Sequence, residues 1–311
     1  MAKRVVGISL GSKARDHQTE VQVLGETVYI ERRGTDGDLN EAARLLRELD
    51  GKVDAFGLGG IDRYLFAAGR RYVIRDAERL ASQAKRTPVV DGAGLKDSLE
   101  RRVIQYLHEE GIISFRGKRV LMVAAVDRFG MAEALAASGC DLVFGDLMFA
   151  LGIPVRLRSL RGLSRLARLA LPVITRLPFK VLYPTGAKQH EIRPKYREVY
   201  EWADIIAGDF HLIRRHLPEK LTGKIILTNT VTPADRQLLR ERGVATLITT
   251  TPNLGGRSFG TNVIEATLVA VSGRRAEELR PSDYFQLLDM LEFRPWVESL
   301  QSETAMAGSS V

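Results

Sequence analysis

Pro88-Val-Val-Asp91-Gly-Ala-Gly-Leu-Lys96-Asp-Ser-Leu-Glu100, followed by a helical run and then by Gly117-Lys-Arg-Val-Leu-Met-Val-Ala-Ala-Val-Asp-Arg-Phe-Gly130, is the stretch whose reading decides the fold. Thr87 to Val90 reads as a short strand that ends on an acid in a glycine-rich turn, Asp91-Gly92. Lys96 to Glu110 places Leu99, Val103, Ile104 and Leu107 at helical spacing, and Gly111 stops it. Arg119 to Ala124 reads as a buried strand, Met131 to Ser138 as a helix and Cys140 to Phe144 as a second strand. Together they form a β-α-β unit of the length that opens a dinucleotide-binding fold. One α/β layer therefore closes at Asp91, and another opens at Arg119.

Upstream, Val5 to Leu10 is a β-branched run, and Glu20 to Leu24 with Thr27 to Arg32 alternate in polarity around Gly25-Glu26 as a hairpin does. Asp38 suits the N-cap of a helix from Leu39 to Leu49 with Ala42, Leu45 and Leu46 on one face. Val53 to Leu58 reads as a buried strand, Tyr72 to Ile74 as another, and Asp76 to Ala84 as a helix. Downstream, Ile205 to Ala207, Ile225 to Thr228 and Thr246 to Thr250 are strands. Helices are expected over Pro194 to Trp202, His211 to His216, Pro233 to Arg242, Asn262 to Ser272 and Ser282 to Leu291. This alternation predicts an α/β chain: an N-terminal α/β substrate domain over residues 1–115 and a Rossmann-like parallel-sheet domain over 116–275. The second carries a basic insertion at 150–190; a C-terminal helix at 276–300 packs back, and 301–311 is a tail.

With 311 residues, 45% hydrophobic and 27% charged, the chain belongs to the globular class and can bury two cores. Cys140 is the only cysteine, which excludes an intrachain disulfide; the five histidines show no metal-ligand spacing, so no metal is expected. The chain shows neither a signal-peptide pattern nor an apolar run of membrane-spanning length, and a cytoplasmic protein is expected. The net charge of +8 is local: Leu147 to His190 contains no acid but Arg156, Arg158, Arg161, Arg165, Arg168, Arg176, Lys180 and Lys188. Leu160, Leu163, Leu166, Ala167, Ala170 and Leu171 fall on one helical stripe there, and Pro172 is expected to end the helix. A leucine stripe beside arginines suits peripheral contact with an anionic membrane on its inner face through residues 153–183; it suits equally a helix packed on the protein with solvated arginines. Sparse aromatics in the segment argue against nucleic acid.

Val-Val-Asp91-Gly-Ala-Gly-Leu, its helix and the following Arg-Gly-Lys-Arg-Val-Leu resemble the junction between the two domains of shikimate and quinate dehydrogenases. The resemblance implies that Asp91 is the catalytic, substrate-binding aspartate and that Ser9, Ser12 and Lys13 lie in the substrate loop after the first strand. It also implies an NAD-dependent hydride transfer to or from a small polyhydroxylated carboxylic acid. Late echoes, Gly223-Lys-Ile-Ile-Leu-Thr-Asn-Thr-Val-Thr-Pro233 and the Leu238-Leu239 helix, extend it over most of the chain. The chain departs from the family where the catalytic lysine belongs, because Gly-Leu-Gly-Gly-Ile-Asp-Arg63 follows the strand there. Arg63 stays protonated and transfers protons poorly. Lys85 is the other candidate for that role.

The turn Val126-Asp127-Arg128-Phe129-Gly130 stands where a dinucleotide's pyrophosphate binds, with a single glycine. Asp146, after the second strand, suits a ribose hydroxyl and favours NAD over NADP; a capping or loop acid is an equal reading. The run from Thr249 to Asn262, dense in hydroxyls and glycines, adds Thr250, Thr251 and Arg257 as cofactor ligands and Asn262 as a substrate ligand. Three functions remain open: the dehydrogenase, an enzyme of the same fold acting on a membrane-borne or acyl-chain substrate, and a non-catalytic nucleotide or ligand sensor. The expected partners are a small-molecule substrate, the membrane surface and a second copy of the chain as a homodimer.

Overall fold

A computed structural model describes residues 2–178, 181, 192–251, 253–254, 257–258 and 260–301, the side chains of 253–258 excepted. Lys180 and Lys188 lie outside the described residues, as does the tail from 302. The chain is α/β, built on two mainly parallel sheets.

The first sheet has the order β2-β3-β1-β4-β7, from β1 (Lys3–Ser9), β2 (His17–Val23), β3 (Glu26–Gly34), β4 (Ala55–Gly59) and β7 (Val89–Val90). Only β2 runs antiparallel, because a tight hairpin joins it to β3. α1 (Leu39–Leu49) starts at Asp38, whose carboxylate accepts from the Asn40 and Glu41 N–H groups, and it buries Ala42, Leu45 and Leu46 as its periodicity requires. After β4 comes a separate hairpin, β5 (Tyr64–Ala67) and β6 (Arg70–Val73), then α2 (Arg75–Ala81).

α3 (Ala93–Glu109) leads to the second sheet, β15-β12-β11-β10-β8-β9. It comprises β8 (Arg119–Met122), β9 (Asp141–Phe144), β10 (Ile205–Gly208), β11 (Ile225–Thr228), β12 (Thr246–Thr249) and the antiparallel edge strand β15 (Trp296–Ser299). The order changes direction between β9 and β10 on either side of β8, so the crevice at the carboxyl ends of β8 and β10 is the topological switch point, where ligands of such sheets bind. The helices are α4 (Phe129–Ala137), α5 (Leu160–Ile174), α6 (Arg197–Trp202), α7 (Phe210–Arg215) and α8 (Pro233–Glu241). α5 runs past Pro172, which sits in the last turn, so that proline does not end the helix as its sequence position suggested.

The chain then returns. β13 (Asn253–Leu254) and β14 (Arg257–Ser258) form a small ladder, and α9 (Thr261–Ser272) packs against β1 and β4 of the first sheet. α10 (Pro281–Met290) packs against α3. One apolar core consequently runs from the first sheet through α3, α4 and α9 to the near face of the second, while Leu121, Val143, Ile206, Ile226 and Leu247 form a second core with α6 to α8.

The approach of α9 depends on missing side chains. A Cβ on Gly57 would lie 2.7 Å from the Asn262 carbonyl oxygen, and one on Gly92 would lie 2.6 Å from the Asn262 nitrogen. Gly92 also has φ +92, a left-handed conformation that glycine adopts without strain.

Candidate functional site

The turn after β7 places Asp91 at the seam between the two sheets. Its carboxylate is buried, with Oδ2 accepting from the Arg63 and Tyr64 N–H groups at 2.5 and 3.0 Å and Oδ1 accepting from the Ala93 N–H at 3.1 Å. Burial raises its pKa, Asp62 adds to that, and the three N–H groups oppose it.

Glu265, on α9, faces the same turn. Its Oε2 accepts from the Gly92 N–H at 2.6 Å, and its Oε1 accepts from the Tyr284 hydroxyl at 2.6 Å. Burial first and the Asp91 charge second push its pKa up to about 8, so it carries a proton at neutral pH. The Tyr284 hydroxyl is also raised, by burial and then by Glu265.

A cleft of about 200 Å³ opens over this pair, lined among others by Arg63, Tyr64, Arg71, Asp91, Glu265 and Tyr284. The guanidinium carbons of Arg63 and Arg71 lie 4.8 and 4.7 Å from the centroid of the Tyr64 ring. The Arg63 side chain is committed elsewhere: Nε and Nη2 hold both Glu78 oxygens at 2.6 and 2.9 Å, and Nη1 donates to the Val89 carbonyl at 2.9 Å. Arg71 is exposed and in no salt bridge among the described residues, which leaves it as the cation at the mouth.

The lysine of the seam is not the expected Lys85. Lys85 is exposed at the entry end of β7, whereas Asp91 follows its exit end. Lys96, one turn into α3, reaches 3.6 Å from Asp62 with its side chain only 13% exposed. Burial disfavours its charge, yet Asp62 and other acids outweigh this and raise its pKa. The alternation of β1 and β4 brings Ser9 and Asn262 together around Gly59, where a Cβ would lie 3.2 Å from Ser9 Oγ and 3.1 Å from Asn262 Nδ2. Ser12 instead caps the turn of residues 13–15, and Lys13 is exposed.

The switch point is filled by the chain itself. Asp146 is buried, and its carboxylate accepts from the Ala125 N–H at 3.0 and 3.1 Å and from the Val126 N–H at 2.9 Å. An internal anion thus takes the backbone donors that a pyrophosphate would need. Its pKa is pushed up to about 6 by burial, against those N–H bonds. Arg128 is buried between Glu100 on α3 and Asp209, the N-cap of α7, with Nη2 donating to Asp209 at 3.1 Å. Asn229 extends the network to Asp209 at 2.8 Å. Phe129 is buried at the start of α4, and a Cβ on Gly130 would lie 2.6 Å from Asp97 Oδ1, so α3 covers that end of the helix.

These residues do not fit a nicotinamide dinucleotide. Val126, Asp127, Arg128, Phe129 and Gly130 form a closed turn, and Asp146 points into that turn rather than outward to a ribose. Thr250 and Thr251 are buried as well, the Thr250 N–H donating to the Thr228 carbonyl at 2.7 Å and the Thr251 hydroxyl to the Asn229 carbonyl at 3.2 Å. Arg257 lies on β14, with its side chain outside the described residues.

Sequence reasoning missed Lys96, Glu265 and Tyr284. Glu265 had a readable signal, as the lone acid in the apolar run Thr-Asn-Val-Ile-Glu-Ala-Thr-Leu-Val-Ala-Val-Ser. Lys96 and Tyr284 had none, because their convergence depends on how α3, α9 and α10 pack.

Residues 94–300 match the family described as "Domain of unknown function (DUF8754)", and residues 4–91 match "Domain of unknown function (DUF8753)". The first match spans well over half of the chain, which belongs to the DUF8754 family. No curated protein matches the sequence. Among solved structures, the chain is similar to the hetero-hexameric glutamate dehydrogenase of Thermus thermophilus in its Leu-bound form, at 13% identity over 94% of this chain and 74% of that one, TM-score 0.42. It is also similar to a substrate-binding protein of a sugar ABC transport system from Bordetella parapertussis 12822, at 12% identity over 99% and 96% of the two chains, TM-score 0.38. Likenesses at this level carry no functional assignment.

Proposed function

We propose that this member of the DUF8754 family is an enzyme that moves protons on a small hydroxylated carboxylic acid bound in the cleft over Asp91. The observation that carries the reading is a pair of buried carboxyl groups meeting at one turn, both with pKa values raised by burial. Three backbone N–H groups favour the carboxylate at Asp91, whereas Glu265, at about 8, holds its proton. A base beside an acid is the arrangement of general acid–base catalysis. Asp91 accepts a proton from the substrate, and Glu265, hydrogen-bonded to the Tyr284 hydroxyl, returns one to the departing or carbonyl oxygen. The substrate's redox state is unchanged by such an exchange. Arg71, at the mouth of the cleft, supplies the counter-charge for a carboxylate.

Proton NMR in D2O tests this with quinate, shikimate and their keto forms as probes. Wild type should exchange hydrogen at the carbon beside the keto group of the keto forms, or eliminate water across it, and Asp91→Asn and Glu265→Gln should not. A panel in which wild type alters no probe overturns the proposal.

A second reading, NAD-dependent hydride transfer to the same class of acid, is favoured by the Asp91-Gly92 turn and its resemblance to the shikimate and quinate dehydrogenase junction. It requires the Val126–Gly130 turn to open. Growth of reduced-cofactor absorbance with quinate or shikimate, on NAD rather than NADP, would favour it over the first.

A further inference from the structure

We infer that residues 151–176 form a docking surface for an anionic lipid membrane, built from side chains other than the leucine stripe. Leu163, Ala167 and Leu171 are buried, and α5 packs against α4 and β5, so the stripe belongs to the protein's own core. The outward face of the same helix is apolar as well. Leu169 is 79% exposed and Val173 64%, one turn apart on the side opposite the buried stripe.

Arg161, Arg165 and Arg168 stand exposed along one flank of that apolar pair, and none forms a salt bridge with a described residue. The extended segment leading into α5 repeats the pattern, with Leu151 at 52%, Ile153 at 44% and Val155 at 49% exposed before an exposed Arg156. Large aliphatic side chains on a surface flanked by uncompensated arginines combine the two attractions of an interfacial helix, apolar insertion and charge.

Charge complementarity selects the partner. From Leu147 to His190 there is no Asp or Glu, so the partner is anionic. Between Phe149 and Phe179 there is no aromatic residue, so bases have nothing to stack on, whereas acyl chains need only aliphatic contact. A phospholipid surface meets both conditions. Among the described residues no helix is long and apolar enough to cross a membrane, and the contact is therefore peripheral.

Vesicle co-sedimentation of the full chain tests this, with phosphatidylcholine alone and with phosphatidylglycerol added. The chain should sediment only with the anionic vesicles and should be released by high salt. Replacing Arg161, Arg165 and Arg168 with Ser should lower partitioning roughly a hundredfold, at the ~1 kcal/mol that each basic residue contributes near such a surface. The variant Leu169→Ser with Val173→Ser should lower it by about tenfold or more. Circular dichroism melting of both variants, expected unchanged at these exposed positions, separates loss of the surface from loss of the fold. Absence of binding to anionic vesicles overturns the inference. So does wild-type binding by the Leu169→Ser, Val173→Ser variant, or equal retention on duplex DNA, since charge alone then explains the contact.

Discussion

The backbone N–H of Gly92 donates to Glu265 Oε2 at 2.6 Å across 173 residues of chain, joining the turn that holds Asp91 to the helix that returns from the second sheet. Two carboxyl groups come to lie together at that seam, and the Asp91 charge adds to burial in raising the pKa of Glu265.

Stability should therefore fall across the neutral range in a way that Glu265→Gln removes. The Glu265 pKa is about 8 in the folded chain against 4.5 when free, so the folded state holds the extra proton between those values. The group's contribution is complete below pH 4.5 and is lost as pH rises through about 8, with a slope of at most about 1.4 kcal/mol per pH unit. Urea unfolding as a function of pH checks it; equal slopes in wild type and variant would remove the account of a proton held on Glu265.

Asp91→Asn should lose turnover and also about 1–3 kcal/mol of stability. The amide must turn an NH2 group towards one of the N–H donors of Arg63, Tyr64 and Ala93, where the carboxylate accepted all three. A fully active variant, read by the NMR assay, would take Asp91 out of the chemistry.

Arg128→Met should cost about 3–5 kcal/mol, because it leaves Glu100 and Asp209 facing each other without their shared cation. Adding Glu100→Gln should restore part of the loss, since Glu100 already has a pKa pushed to about 7 by burial. Chemical denaturation of the single and double variants measures both effects, and a double variant no more stable than the single one would argue against the pairing.

Gly57→Ala should destabilise the chain by about 1–3 kcal/mol, since the new methyl would sit 2.7 Å from the Asn262 carbonyl oxygen and push α9 off the sheet. The thermal midpoint reports it, and a midpoint equal to wild type would mean that α9 shifts without penalty.

Local pattern was sufficient for most of the framework. The helix over Leu39–Leu49 with its Asp38 cap, the strand over Ile225–Thr228 and the β-α-β unit after Arg119 all follow from periodicity and capping, which act within a few residues. Periodicity says which face of an element is apolar but not what covers it. The leucine stripe of α5 could equally have faced lipid or protein, and only the packing against α4 and β5 decided. In the same way, Asp146 was by position equally a ribose ligand or a loop acid, and its carboxylate turns inward to the Ala125 and Val126 N–H groups. The C-terminal helix expected over 276–300 is an α-helix only over Pro281–Met290, and Trp296–Ser299 forms the edge strand β15 instead, with no buried side chain to mark it. Asp91 could be read from its turn. Its partners Glu265, Tyr284 and Lys96 could not, because three helices distant in sequence bring them to one seam, and that convergence belongs to the tertiary structure alone.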